Sequence, residues 1–427
     1  MTTSRFRRFA ARRIAVACAL AAGLAAPAGA QTFSQRGFID AVGFLFPRDA
    51  PNDATNVVAD LLVREEAFLK PAGWLQFAAG VDLRANSHDQ VDASWGVNFT
   101  DRGVLRPAIS IRRLAATISR GPLTIDAGKQ FMRWGKADVV TPTDWFAPRD
   151  FINVVDNEFL GVTGVRAVVQ AGVHSFDAIW VPYLTPSRTP LPDQRWTVVP
   201  QAAQGAELVD GGAEFPHGSE VGFRWSRTGA VDFSLSVFDG FNHLPNVEPL
   251  APPPVPPPAV AAPPLVIVRR TYPGLRGYGA DIAVPTKLFT IKGEAAYSTS
   301  ETPMTDDYVL YVVQLERQSG EWVFVGGYAG EVVTASRSQL AFSPQRGLSK
   351  SFVGRASYTL DANRSVAFET AVKQDGQGVY VKGEYSQASG AHWRMTVTGV
   401  AIAGQPDDFL GQYNHNSHVT ADLRYSF

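Results

Sequence analysis

Between residues 132 and 161, eight ionisable side chains are interleaved with large aromatic ones. The charges are Arg133, Lys136, Asp138, Asp144, Arg149, Asp150, Asp156 and Glu158; the aromatics are Trp134, Trp145, Phe146, Phe151 and Phe159. Carboxylates and guanidiniums in one stretch can bind a cation, tie a segment down through ion pairs, or line a polar path. Asp144, Asp150, Asp156 and Glu158 have the ligand chemistry of a calcium site. They lack the dense alternate-residue spacing of a calcium loop, so no metal is expected. Covalent catalysis has little to start from. There is no GxSxG elbow and no HExxH pair. The 7 histidines are scattered, with His415 and His418 the nearest pair, at a loop end. Ser–His–Asp chemistry stays open because its members need meet only in space. The only cysteine, Cys18, lies near the N-terminus, leaving the rest of the chain without a thiol nucleophile, a disulfide or a thiolate metal site. No cofactor motif is present, and neither an enzyme nor a cofactor is expected.

The elements that position these residues follow from periodicity. From Gly73 onward apolar and polar residues alternate over stretches of roughly ten residues, the length of a tilted strand that crosses a bilayer. Leu75, Phe77, Ala79, Val81 and Leu83 alternate with Gln76, Ala78, Gly80, Asp82 and Arg84. The contrast returns at 220–226, 231–237, 289–297 and 379–385. Short turns, such as Arg120-Gly121-Pro122 and Ser319-Gly320, separate longer connections around 86–107, 132–161, 185–217, 241–273, 334–347 and 404–416. Alternation of short and long connections is the pattern of periplasmic turns and extracellular loops. The reading is an all-β, antiparallel up-and-down transmembrane barrel of about eighteen strands, with sixteen as the alternative. The first two strands fall near 36–46 and 58–69. Residues 91–99 are either a further strand or part of a loop. The run from Pro249 to Pro264 is too rich in proline to join a sheet and reads as a stiff exposed loop within 241–273.

Both ends of the chain carry signals. Arg5, Arg7, Arg8, Arg12 and Arg13 precede an apolar run from Ile14 to Ala26, and Ala28-Gly29-Ala30 suits cleavage before Gln31, so residues 1–30 read as a signal peptide. At the other end, Val419, Ala421, Leu423, Tyr425 and Phe427 share one face, while His418, Thr420, Asp422, Arg424 and Ser426 share the other. This phased strand with an aromatic last residue, with Leu423, Tyr425 and Phe427 at its core, resembles the C-terminal signature of Gram-negative outer-membrane β-barrels. In those proteins the last strand is read by the barrel assembly machinery and pairs with the first. The segment Gly128-Lys129-Gln130, Arg133-Trp134-Gly135-Lys136-Ala137-Asp138, Pro142-Thr143-Asp144 and Phe146-Ala147-Pro148-Arg149-Asp150-Phe151 is similar to one found in poorly characterised porin-like proteobacterial barrels. That group implies no defined substrate.

A net charge of -1 gives no basic field for nucleic acid. The inward face of the strands should carry Asp82, Arg84, Asp126, Arg224, Lys292, Glu294, Glu369, Lys382, Glu384, Arg394, Asp422 and Arg424, mixed in sign as a lumen requires. The 132–161 connection is long and needs somewhere to bury its aromatics. It is expected to fold into the lumen, where its charges would form a constriction. A lid on the barrel mouth, held by structural ion pairs, is the other reading. The expected activity is passive diffusion of small polar or charged solutes. Polysaccharide or lipid transport, and a non-transport role as adhesin or barrel enzyme, are the alternatives. Expected partners are outer-membrane lipid and lipopolysaccharide, the assembly machinery and small solutes, with a homo-oligomer left open.

Overall fold

The computed structural model describes residues 32–93, 99–198, 207–250, 265–338 and 344–427; the signal-peptide segment and most of the proline run fall outside them. Eighteen antiparallel strands close into one barrel. In chain order they are β1 (Thr32–Leu45), β2 (Val57–Ala72), β3 (Leu75–Asn86), β4 (Ile109–Arg120), β5 (Leu123–Gln130), β6 (Val162–Ala171), β7 (His174–Val181), β8 (Glu220–Arg227) and β9 (Asp232–Phe241). The second half comprises β10 (Gly274–Pro285), β11 (Thr290–Thr299), β12 (Asp307–Ser319), β13 (Trp322–Ala335), β14 (Ser351–Asp361), β15 (Arg364–Lys373), β16 (Gly378–Ser389), β17 (Trp393–Gly404) and β18 (His418–Ser426).

Each strand pairs with its neighbours in sequence. The ring closes where β18 meets β1, from Phe38 opposite Ser426 to Leu45 opposite Val419. Phe427 extends the seam through two backbone hydrogen bonds with Gly37, each 3.0 Å. The alternation seen in the sequence is the inside–outside alternation of the wall. On β12, Val313 is 52% exposed and Val312 only 1%, although both are valines. The first points out of the ring and the second into it.

The outer face carries exposed Leu, Val, Ile and Phe with aromatic residues toward both rims. At the short-turn end Trp322 packs on Tyr358 at 4.7 Å and Trp393 on Tyr425 at 4.9 Å. Toward the other rim Tyr328 packs on Tyr311 at 6.2 Å and on Phe352 at 5.2 Å. An apolar belt between two aromatic girdles matches a bilayer and its interfaces. No helix among the described residues is long and apolar enough to cross a membrane, which says nothing of strands.

Two local features depart from the regular pattern. Gly80 pairs with Arg113 and Val81 with Ile111, so Arg112 is an extra residue in β4. This bulge interrupts the strict two-residue alternation there. Val91–Asp92 pairs only with Arg106–Pro107, so the described part of 91–99 belongs to a loop. Pro249 does sit in a sheet, contrary to expectation. It lies in Asn246–Leu250, the edge of a three-stranded sheet with Leu265–Thr271 and Glu207–Glu214. An edge strand tolerates proline because one side of its ladder has no partner.

The outward position of Val313, near the middle of its strand, makes a direct test. Val313→Arg should lower folding stability in lipid vesicles by about 2–4 kcal/mol, measured by denaturant titration.

Candidate functional site

Connection 131–161 leaves β5 and returns as β6, and in between it contacts walls on both sides of the lumen. Its first half is seated on β7 to β12. Trp134, Trp145 and Phe146 pack with Phe238 of β9 in one buried cluster. The wall makes room for them with glycine. A Cβ on Gly222 of β8 would stand 2.6 Å from both Phe146 and Trp134. Glu294 of β11 then fixes the backbone. Its carboxylate accepts the N–H of Lys136 at 2.8 Å, of Ala137 at 3.0 Å and of Thr143 at 2.8 Å, and the Thr143 hydroxyl at 2.9 Å. The buried indole N–H of Trp134 donates to Asp177 at 3.0 Å.

The second half turns toward the opposite side. Val154 joins Phe44 of β1, Val400 and Ile402 of β17, and Phe409, Leu410 and Tyr413 of the 405–417 connection. Asp150 is buried between Arg106 at 2.9 Å and Arg188 at 3.3 Å. Burial alone would push the Asp150 carboxyl up; the two guanidiniums overcome that and hold it down at about 2. Glu158 reaches Arg84 of β3 at 2.7 Å and Arg64 of β2 at 3.3 Å.

The remaining charges of the connection are distributed unevenly. Lys136 pairs with Asp281 of β10 at 2.8 Å, and Asp138 with Lys292 of β11 at 3.0 Å. Asp144 accepts the N–H groups of Trp134 and Gly135, each at 2.7 Å, and pairs with Arg133 at 3.1 Å. Arg133 and Arg149 lie over the Phe159 ring, each 4.1 Å from its centre. Arg149 also donates to Asn157 at 2.9 Å. Asp156 is exposed, with no ion pair within 4.0 Å among the described residues. Asp144, Asp150 and Glu158, weighed above as cation ligands, are each engaged by arginine.

The wall residues expected to face inward also have partners on the wall, on the adjacent strand, two strands away or on the same strand. Asp82 binds Arg64 at 2.7 Å, Arg224 binds Asp281 at 2.7 Å, and Arg424 binds Asp40 at 2.6 Å beside Asp422. Asp126 accepts the Thr117 hydroxyl, and Arg394 donates to Ser386 at 3.2 Å. Glu369 pairs with Arg355 at 3.4 Å, and Lys382 with Glu384 at 3.7 Å.

Opposite the seated loop a cavity of about 320 Å³ remains. One side is 138–157; the other is mainly the inner wall from β12 to β17, including Arg355, Glu369 and Tyr380, with Leu275 of β10 and Ala296 and Ser298 of β11 at its edge. On the β3–β5 side, beside Glu158, lies a much smaller space of about 40 Å³. The open part of the lumen is therefore eccentric.

Sequence reasoning overlooked several residues that hold this arrangement. Arg106 and Arg188 lie in connections, where no periodicity marks them. Arg64 precedes Glu65, a charge on the outward face that blurs the alternation of β2. Arg355 sits in β14 between Gly354 and Ala356, whose small size hides the period.

A BenF-like porin from Pseudomonas fluorescens Pf-5 superposes with a TM-score of 0.51 at 8% identity, covering 92% of this chain and 98% of that one. The fold is that of a porin barrel. Acinetobacter baumannii OccAB4 superposes with a TM-score of 0.51 at 9% identity, covering 93% and 99% of the two chains. No family profile matches the sequence, and no curated protein does. In this porin-like barrel the likeness lies in the strand framework, while the charges and aromatics of the site stand on this chain's own residues.

Asp150 gives two predictions. Its carboxyl is depressed in the folded state, so its stabilising effect is complete above the ordinary carboxylate range near 3.9 and is lost as pH falls through about 2. Native-state proteolysis of the 131–161 connection should stay slow at pH 4 to 5 and rise steeply near pH 2, read with an acid-active protease. Asp150→Ala leaves two buried guanidiniums without their carboxylate and should destabilise by about 3–5 kcal/mol in denaturant titration.

Proposed function

We propose that this protein is an outer-membrane channel for passive diffusion of small polar or charged solutes, with the 131–161 connection as its constriction. The observation that carries the reading is the eccentric cavity between residues 138–157 and the β12–β17 wall. A barrel whose connection only capped the mouth would place that connection's contacts at the rim. Here Lys136, Asp138 and the Glu294 clamp bind it to inward-facing positions of β10, β11 and β12. The apolar outer belt supports a ring set in a bilayer, with the short turns facing the periplasm and the long connections facing outward. Lipopolysaccharide, the assembly machinery acting on the Leu423–Phe427 strand, and removal of residues 1–30 belong to the same reading.

Charge selectivity in this proposal is divided between two groups. Arg133, Lys136, Asp138, Asp144, Arg149, Asp150, Asp156 and Glu158 set the width, because most of them tie the loop to itself or to the wall. The part-exposed pairs on the open wall, Arg355–Glu369 lining the cavity and Lys382–Glu384 on the strand beside it, lie along the solute's path. At about 320 Å³ the cavity is at the small end of ligand-sized spaces, which favours single small solutes over a polysaccharide strand.

Purified full-length protein in planar bilayers should give discrete single-channel steps. Arg355→Glu should shift the reversal potential in a salt gradient toward cation preference, and Glu369→Lys should shift it toward anions. Glu294→Ala should raise the conductance and its noise by releasing the loop. A folded barrel that inserts and stays electrically silent would rule the channel out.

A further inference from the structure

The open wall carries two adjacent register rows of different chemistry. In the lower row Glu316 of β12 is followed by Val325, Arg355, Glu369 and Lys382 on the successive strands β13 to β16. Its charges run minus, plus, minus, plus, and the Arg355 and Glu369 side chains are 53% and 34% exposed, so water and solutes reach them. Two residues away toward the long-connection end, the next row reads Val353, Ala371, Tyr380 and Ile402 on β14 to β17. That row has no charge. Apolar residues of the connections line the same cavity, among them Val140 and Phe151, while Leu348 and Leu410 pack with Tyr380 and Ile402. Two residues of strand separate the rows by about 7 Å.

We infer, building on the channel reading, that this strip is a selectivity site for small amphipathic zwitterions, such as an amino acid with an apolar side chain. The apolar body lies against Tyr380, Ala371 and Ile402. The ammonium and carboxylate lie against the alternating Glu369 and Arg355. Size fits the assignment, since an apolar cavity of about 150 Å³ already accepts a single benzene ring, and this one is about 320 Å³. The alternation of sign fits it as well. A row of one sign would favour an ion of the opposite charge, whereas neighbouring plus and minus groups match a head that carries both. Moving from the upper row to the lower exchanges apolar contact for ionic contact over the length of one small molecule. The binding is shallow at each step and the solute can leave, as conduction requires.

Leucine and serine have the same head and differ in the body, so they isolate the upper row. In swelling assays of vesicles containing the full-length protein, leucine should enter about fivefold faster than serine, the effect of partial burial of its side chain. A plain water-filled hole would pass the smaller, more polar serine faster. Tyr380→Ser should abolish the preference, and Ala371→Ser, which changes little volume, should reduce it if the first variant folds poorly. Arg355→Gln with Glu369→Gln should slow leucine and serine alike, because both carry the same head. Serine equal to or faster than leucine, in protein that conducts ions, would overturn this inference and leave the channel reading standing. Protein that neither conducts nor swells would overturn both.

Discussion

Backbone amides and carbonyls in hydrocarbon have no water to bond, and this requirement governs the whole molecule. Each unpaired group would cost several kcal/mol, so a sheet in a membrane must close on itself. Here closure falls on β1 and β18, and the Gly37–Phe427 hydrogen bonds are its last pair. Once the ring is closed, every strand has one face in lipid and one in the lumen. The alternation of the sequence, the aromatic girdles and the inward charges are consequences of that geometry.

The closed ring leaves an interior wide enough to admit a long connection, and polar chemistry decides how it is held there. Charged groups removed from water need partners, and a buried pair broken on one side is strongly destabilising. The 131–161 connection meets this demand at each point of contact. Glu294 binds backbone N–H groups, Asp281 binds Lys136, and Arg106 and Arg188 enclose Asp150. Aromatic packing over Gly222 supplies the apolar part of the same attachment. Because the first half of the connection lies on β7 to β12 and Glu158 fills the β2–β3 side, the space left over belongs to β12–β17. Selectivity then rests on which side chains that wall presents.

Much of this was legible in the sequence. Period-two alternation and loop lengths indicated an eighteen-stranded barrel, and the phased run ending at Phe427 indicated where it closes. A connection at 132–161, one residue short of the observed 131–161, and its mixture of charge and aromatics were also visible. Partners were not. Lys136 and Asp281 are far apart in the chain, and nothing local says that they meet. Arg355 and Glu369 could be placed on adjacent strands only once the register was known. The two-row chemistry of the open wall is likewise a property of register across six strands, with Tyr380 and Lys382 only two residues apart in one of them. The bulge at Arg112 shows the same limit, since an extra residue erases the periodicity that would have revealed it.

The central claim is that solutes pass between residues 138–157 and the β12–β17 wall. Beyond Cys18 the chain has no cysteine, so single thiols can be introduced cleanly. The direct measurement is single-channel current before and after treatment with a bulky, membrane-impermeant thiol reagent, for Glu369→Cys on the open wall and Ser110→Cys in the small space beside Glu158. The account predicts a lasting fall in current for Glu369→Cys and none for Ser110→Cys. Block at Ser110→Cys with no effect at Glu369→Cys would place the path on the other side of the loop and contradict it.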